Sequence, residues 1–229
     1  MTYRTPMYSG RVGVDDNFTM MPKITFSDDT KLLCHFDTDG TDSSFYNRTP
    51  TNINASISLT QSKFGGGSLH MPTLGTHSYS YPYSTDFTIG TNDFTIEAWI
   101  NIGDPLGYIL TPIYSKTAQA FEIQNSKILF SGSGIVIGSG TVSISLGTWH
   151  HIAISRTSGT IDLYFDGVSQ PSSYSSGSGS TNIVDALGPE YVGNEFSSTK
   201  SYYIDEFRFT NGIGRYPTNF TPATASFTF

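Results

Sequence analysis

The stretch GTWHHIAISRTSGTIDLYFDGV, residues 147–168, alternates through two runs joined at Ser158-Gly159. In the first run Trp149, His151, Ala153 and Ser155 fall on one side and His150, Ile152, Ile154 and Arg156 on the other, which is the period of two that a strand imposes on its side chains. In the second run Ile161, Leu163 and Phe165 share a side against Asp162, Tyr164 and Asp166, and Asp166-Gly167 supplies the positive-φ pair that closes a tight hairpin. His150 and His151 therefore point to opposite faces and do not serve one metal ion.

Outward from this pair, short alternating runs cut by Gly, Asn, Asp and Pro continue in both directions. Strands are expected over 31–36, 53–60, 68–71, 93–102, 108–115, 120–124, 127–132, 135–138, 141–146, 190–194 and 202–210. Pro112 marks its run as an edge strand or a break, because proline cannot donate to a ladder. No window carries a helical apolar pattern that beats the alternating one. So many short strands at this spacing predict an all-β, two-sheet antiparallel sandwich. SQPSSYSSGSGST, residues 169–181, is low in apolar content and is expected as a long mobile loop, and SYSYPYS, residues 78–84, as a tyrosine-rich connection. Residues 1–30 hold no sustained periodicity and are expected as an extended N-terminal arm, leaving 31–229 as the sandwich domain.

Composition narrows the function. The chain has 229 residues, enough for one all-β domain, and a net charge of −7 with no basic cluster. Nucleic acid is thereby excluded as a partner, since phosphate neutralisation supplies most of that affinity. A single cysteine, Cys34, leaves no intrachain disulfide and no cysteine-based zinc cage, and it reads as a small apolar core residue. No segment approaches the about 20 apolar residues of a membrane helix, so no membrane insertion is expected. The opening MTYRTPMYSGRVG lacks the apolar stretch of a signal peptide and reads as that of a chain not exported by the usual route. Neither G-x-S-x-G nor H-E-x-x-H occurs.

The order of motifs then becomes informative. LLCHFD (32–37), SKFGGGSLHM (62–71), DFTIEAWI (93–100), the hairpin quoted above and YIDEFRFTNGIGRYPTNFTP (203–222) follow one another. In that order they resemble the laminin-G-like, concanavalin A-like jelly-roll domains, most closely the short bacterial and phage versions that carry W-H-H-[IV]-A, L-x-[VF]-D-G and I-D-E-F-R-[IF]. The resemblance covers roughly residues 31–222. It implies a jelly roll, while function varies widely within one fold.

Three groups of residues are candidates for chemistry. Glu97 stands in FTIEAWI and shares a strand face with Thr95, Trp99 and Asn101. A glycosidase needs a second carboxylate about 5–9.5 Å away, and jelly-roll glucanases of the resembled kind carry E-x-D-x-x-E or E-x-D-x-E, which is missing here. The nearest acidic pair, Asp205-Glu206, is expected to point to opposite faces. Glu97 therefore reads as a structural carboxylate paired with Arg156 or Arg208, since a buried charge is tolerated only when paired. The resemblance also implies a structural calcium ion held near the first and last strands by Asp37 and Asp205. FDTDGTD (36–42) adds Asp39 and Asp42 as hard oxygen donors, with Asx turns as the alternative use of that loop. Tyr79, Tyr81 and Tyr83 alternate and could share one side, either to stack on sugar rings or to pack over a sheet edge.

Together these readings lead to the expectation of a non-enzymatic virion structural protein, a capsid decoration or tail-fibre component made in the host cytoplasm. Its arm would dock on other virion proteins, it would form a homo-oligomer, and its lectin-like jelly roll would face host surface glycans. The alternative is a carbohydrate-binding module of a cellular protein.

Overall fold

The computed structural model describes residues 29–228 other than 74, 104–109, 118, 186 and 195–200; residues 1–28 of the expected arm lie outside the described residues. Along the chain run β1 (Thr30–Cys34), β2 (Thr51–Ile53), β3 (Ser56–Ser58), β4 (Ser68–Met71), β5 (His77–Tyr81), β6 (Phe94–Ile102), β7 (Leu110–Lys116) and β8 (Gln119–Gln124). They are followed by β9 (Lys127–Gly132), β10 (Ile135–Ser139), β11 (Trp149–Thr157), β12 (Thr160–Phe165), β13 (Val168–Ser169), β14 (Ser172–Ser176), β15 (Glu190–Asn194) and β16 (Tyr202–Asn211). One sheet has the order β13-β12-β11-β6-β16-β4-β3, with β1 also paired to β16; the other has the order β14-β10-β9-β8-β7-β15-β5-β2. The two pack face to face as an all-β antiparallel sandwich. Between them lies one apolar core that includes Leu32, Phe94, Ile96, Ile152, Leu163 and Phe207, all at most 3% exposed.

The β11–β12 hairpin has the register that its alternation requires, with Ile152 opposite Phe165 and Ile154 opposite Leu163. Asp166 and Gly167 take φ of 48° and 77°. Long strands with clear periodicity were thus placed from sequence. Elsewhere the outcome differs. The run 53–60 is broken at Asn54, whose φ is 52°, and the chain passes there from the second sheet (β2) to the first (β3). Residues 141–146 are not a strand. Within 78–84 the chain is a strand, β5, and within 169–181 the exposed β14 pairs along β10. β14 buries no apolar stripe, and in β5 the buried Tyr79 and Tyr81 alternate with serine, so in both neighbouring backbone supplies the pairing that serine-rich composition does not signal. Pro112 lies inside the second sheet rather than at its edge. A bulge follows it, and β15 pairs with β7 at Tyr114 and Ser115, so the missing N–H falls where no rung to β15 is made.

Two features of the first sheet position the site. The first is β16, whose free side is shared: Tyr202–Ile204 pair with β4, and Phe207–Thr210 pair with β1. Between them the register against β6 slips at Asp205–Arg208, and Glu206 takes φ 51°, so one extra residue is bulged out. The second is the chain after β16, which returns as a strap over the outer side of this sheet. Arg215 N donates to Thr95 Oγ1 at 2.9 Å, Tyr164 donates its hydroxyl to the Tyr216 carbonyl at 2.7 Å, and Phe227 packs with Leu33 and Trp99. Tyr216 and Phe220 stack at 3.6 Å. The strap is pinned at the hairpin turn, where Phe220 N donates to the Gly167 carbonyl at 2.9 Å. A Cβ on Gly167 would lie 2.0 Å from the Phe220 oxygen, so glycine is required there both by the turn and by the strap. As a result β6 is buried along its whole length on both faces.

Candidate functional site

Under the strap, Glu97 is fully buried. Arg208 donates through Nε and Nη2 to Oε1 at 2.8 and 2.7 Å. His151 Nε2 lies 3.1 Å from Oε2, and the Tyr216 hydroxyl donates to the same oxygen at 2.6 Å. Burial by itself would raise the Glu97 pKa, but the Arg208 guanidinium, His151 and the tyrosine hydroxyl outweigh it and hold the carboxyl at about 2. Arg156, the other expected partner, is turned to backbone carbonyls of Asn92, Gly90 and Thr181 at 2.7, 2.7 and 2.9 Å. A carboxylate closed over in this way has no approach for a substrate.

Because of the bulge, Asp205 and Glu206 both serve the outer side, not opposite faces. Asp205 Oδ2 accepts from Lys63 N and Phe64 N at 2.6 and 3.2 Å, and its Oδ1 accepts from Glu206 N at 2.8 Å. Burial, with Glu206 adjacent, pushes its pKa up to about 7 against these amide bonds. Glu206 accepts from Phe227 N at 2.7 Å and meets His35 Nδ1 at 3.0 Å. Asp37 Oδ1 accepts from Gly66 N at 2.6 Å, so Asp205 and Asp37 grip the 62–67 turn from its two ends. A Cβ on Gly65 would come within 1.9 Å of that Asp37 oxygen. Asp39 makes an Asx turn to Thr41 N at 2.8 Å, and Asp42 accepts from Leu33 N, Ser44 N and Arg48 N. Of the residues expected around calcium, Asp37 Oδ1 and both Asp205 oxygens accept amide hydrogens, and among the described residues no three His, Cys, Asp or Glu side chains converge.

Where the strap leaves the sheet, a cleft of about 450 Å³ opens, within the range of small-molecule sites. Its lining includes Trp99 and Trp149, the chain's two tryptophans. Trp149 pairs with Asn101 and His151 with Trp99, so the two indoles are diagonal neighbours on the outer side of β6 and β11. The 62–67 turn forms one wall. Phe64 meets Trp99 edge-on at 5.9 Å, and the Lys63 ammonium stands 3.8 Å from the centre of the Trp99 ring. Pro222, Ala223 and Thr224 of the strap form another wall, and Thr148, His150 and Asp166 complete the lining. Asp166 is half-exposed, with Oδ2 at 2.7 Å from His150 Nδ1 and Oδ1 accepting from His151 N at 2.8 Å. Burial would raise its pKa, and these two bonds hold it below the usual carboxylate value. Trp99 Nε1 is buried without a hydrogen-bond partner. Aromatic faces flanked by a cation, a carboxylate and hydroxyls suit a ligand that is apolar on its faces and polar at its edges.

A family model described as the concanavalin A-like lectin/glucanases superfamily matches residues 74–213. The chain belongs to that superfamily. No curated protein matches it. Among solved structures, the binding domain of Paraclostridial Mosquitocidal Protein 1 is similar with a TM-score of 0.66 and 13% identity over 82% of this chain and 50% of that one. The botulinum neurotoxin serotype D binding domain is similar with a TM-score of 0.59 and 14% identity over 80% and 48%. Domain 4 of AbnA, an extracellular GH43 arabinanase of Geobacillus stearothermophilus solved with arabinotriose, is similar with a TM-score of 0.58 and 18% identity over 80% and 92%. The chain thus spans about half the length of the toxin binding domains it matches. At these identities the likeness is one of fold.

In this superfamily member the tyrosines expected to stack on sugar are placed otherwise. Tyr79 and Tyr81 do share a side, but it is the core side: they are 5% and 0% exposed, and Tyr81 donates to the Gly40 carbonyl at 2.7 Å. Tyr83 lies beyond β5, 42% exposed, beside the Lys116 ammonium. Neither alternation nor composition says which face of a strand is inside. Trp149, Lys63 and Phe64 were not singled out from sequence as site residues. The shared parity of Trp99 and Trp149 with their strands' outer residues was the available signal, and the register that joins them was not.

Proposed function

We propose that this superfamily member is a non-catalytic carbohydrate-binding domain and that its sugar site is the cleft between Trp99, Trp149 and the 62–67 turn. The observation that carries this reading is the gathering of both tryptophans at the cleft beside the strap on the outer side of the first sheet. Half-buried Trp149 offers the stacking face, and Lys63, Thr148, Asp166 and Thr224 offer polar groups at its edges. The similar arabinanase domain solved with arabinotriose supports the reading at the level of fold. Binding without turnover follows from the carboxylates. Glu97 is sealed, and among the described residues Asp166 alone of the acids lines the cleft, whereas glycoside hydrolysis uses two. The expected virion setting draws no support from toxin binding domains and an arabinanase domain, so the carbohydrate-module alternative is put forward here.

The test uses the chain's own fluorescence, since both indoles report on this cleft. After a glycan array, the best oligosaccharide is titrated against tryptophan emission. Trp149→Ala is expected to weaken binding about tenfold or more, the loss of one stacked aromatic face, with a thermal midpoint close to that of the parent. A chain that retains no glycan, or whose emission ignores the glycan it retains, overturns the reading.

A further inference from the structure

We infer that the cleft takes a sugar bearing a carboxylate and that Lys63 anchors it; this rests on the carbohydrate reading above. Several cations of the domain are already engaged: Lys116 pairs with Asp185 and Glu190, Arg48 with Asp86 and Arg208 with Glu97, while Arg156 donates to backbone carbonyls and Arg215 to threonine hydroxyls. Lys63 is different. Among the described residues no carboxylate pairs with its ammonium, which rests instead on the Trp99 ring. Asp205, the acid next to it in the fold, takes its main-chain N–H at 2.6 Å and not its side chain. The residue is thus held at its backbone by Asp205 and at its ammonium by Trp99, so much of the entropy of ordering a lysine is already lost before a ligand arrives.

The acid that lines the cleft is, by contrast, committed to the protein. Asp166 has one oxygen on the His150 ring and the other on the His151 amide. The lining therefore has an uncommitted cation and a satisfied acid, which orients a ligand as well as attracting it. Geometry agrees. Diagonal neighbours across two strands stand about 7–8 Å apart, so a pyranose stacked on Trp149 brings a ring carboxylate toward the ammonium over Trp99. The chain's net charge of −7 opposes an anion at long range, but charges beyond about 8 Å are largely screened at physiological salt while a contact pair is not.

Two common sugars supply this group, a uronic acid and a sialic acid, and the experiment separates them. Trigalacturonate with its methyl ester, and sialyllactose with lactose, are titrated by tryptophan emission against the parent chain, Lys63→Met and Lys63→Arg. In at least one pair the acid is expected to bind about ten- to a hundredfold more tightly than its neutral counterpart, the size of one charge-assisted hydrogen bond. Lys63→Met should erase that preference and Lys63→Arg keep it; the pair that shows it names the source. Equal binding of acid and neutral sugar by the parent chain, or a preference that survives in Lys63→Met, overturns this inference and leaves carbohydrate binding standing. If none of the four sugars nor any array glycan changes the emission, both fall together. The parent-chain comparison needs no variant, so it stands even if a substitution disturbs folding.

Discussion

Glu97 shows how a single residue acquires its role. Its place in a hydrophobic run marks it as buried, and burial demands a cation. Which cation answers depends on register, and the bulge at Glu206 sets Arg208 opposite it. Tyr216, 119 residues along the chain, supplies the final hydrogen bond. Breaking such a group from one side leaves its partner charge buried and uncompensated. Glu97→Gln is therefore expected to cost about 3–5 kcal/mol, read as a lowered urea midpoint, while sugar affinity of the folded protein stays unchanged. A Glu97→Gln chain as stable as the parent would contradict the network. Tyr79 and Tyr81 teach the converse lesson. Their parity was readable from the sequence, but parity has no sign, and only packing against β1 and the Gly40 turn put them inside.

At the scale of elements, the strap is what the periodicity did not disclose. After Asn211 the described residues form no regular structure, yet they cover Leu33, Glu97 and Tyr164 and form one wall of the cleft. Long strands such as β6, β11 and β16 were legible because each buries an alternating stripe. The strap buries isolated side chains, Tyr216, Phe220 and Phe227, at irregular spacing, and an irregular spacing has no period to detect. Removing residues 213–229 should expose a broad apolar area on the outer side of the first sheet. Such faces associate, so the shortened chain is expected to elute as aggregate in size-exclusion chromatography and to lose near-ultraviolet circular dichroism. A monomeric, cooperatively unfolding product would show that the strap is dispensable to the sandwich.

Across the whole molecule, buried carboxyls set opposite pH trends, Glu97 on one side and, on the other, Asp205 together with Glu190, whose pKa burial also raises to about 7. Glu97 is held at about 2, below its ordinary 4.5, so its contribution is complete above pH 4.5 and is lost as pH falls from there toward 2. Asp205 is pushed from 3.8 up to about 7, so the folded state binds its proton more tightly and stability declines as pH rises from about 4 through 7. Each effect is on the order of 3–4 kcal/mol. Urea midpoints at pH 3, 5 and 8 should therefore be highest at pH 5, and a midpoint that climbs steadily to pH 8 would contradict the raised pKa of Asp205 and Glu190. The sequence by itself determined the strand-rich class, the two-sheet sandwich and the hairpin at Asp166-Gly167, because period-two alternation and turn chemistry are local properties, while the superfamily was legible only through the resemblance of its ordered motifs. Only the tertiary structure decided which face of each strand is covered, where β16 bulges, what closes over Glu97, and that Trp99, Trp149 and Lys63 meet at one opening. Those outcomes rest on contacts between residues far apart in the chain, and local patterns carry no information about which distant segment will supply the other half of a contact.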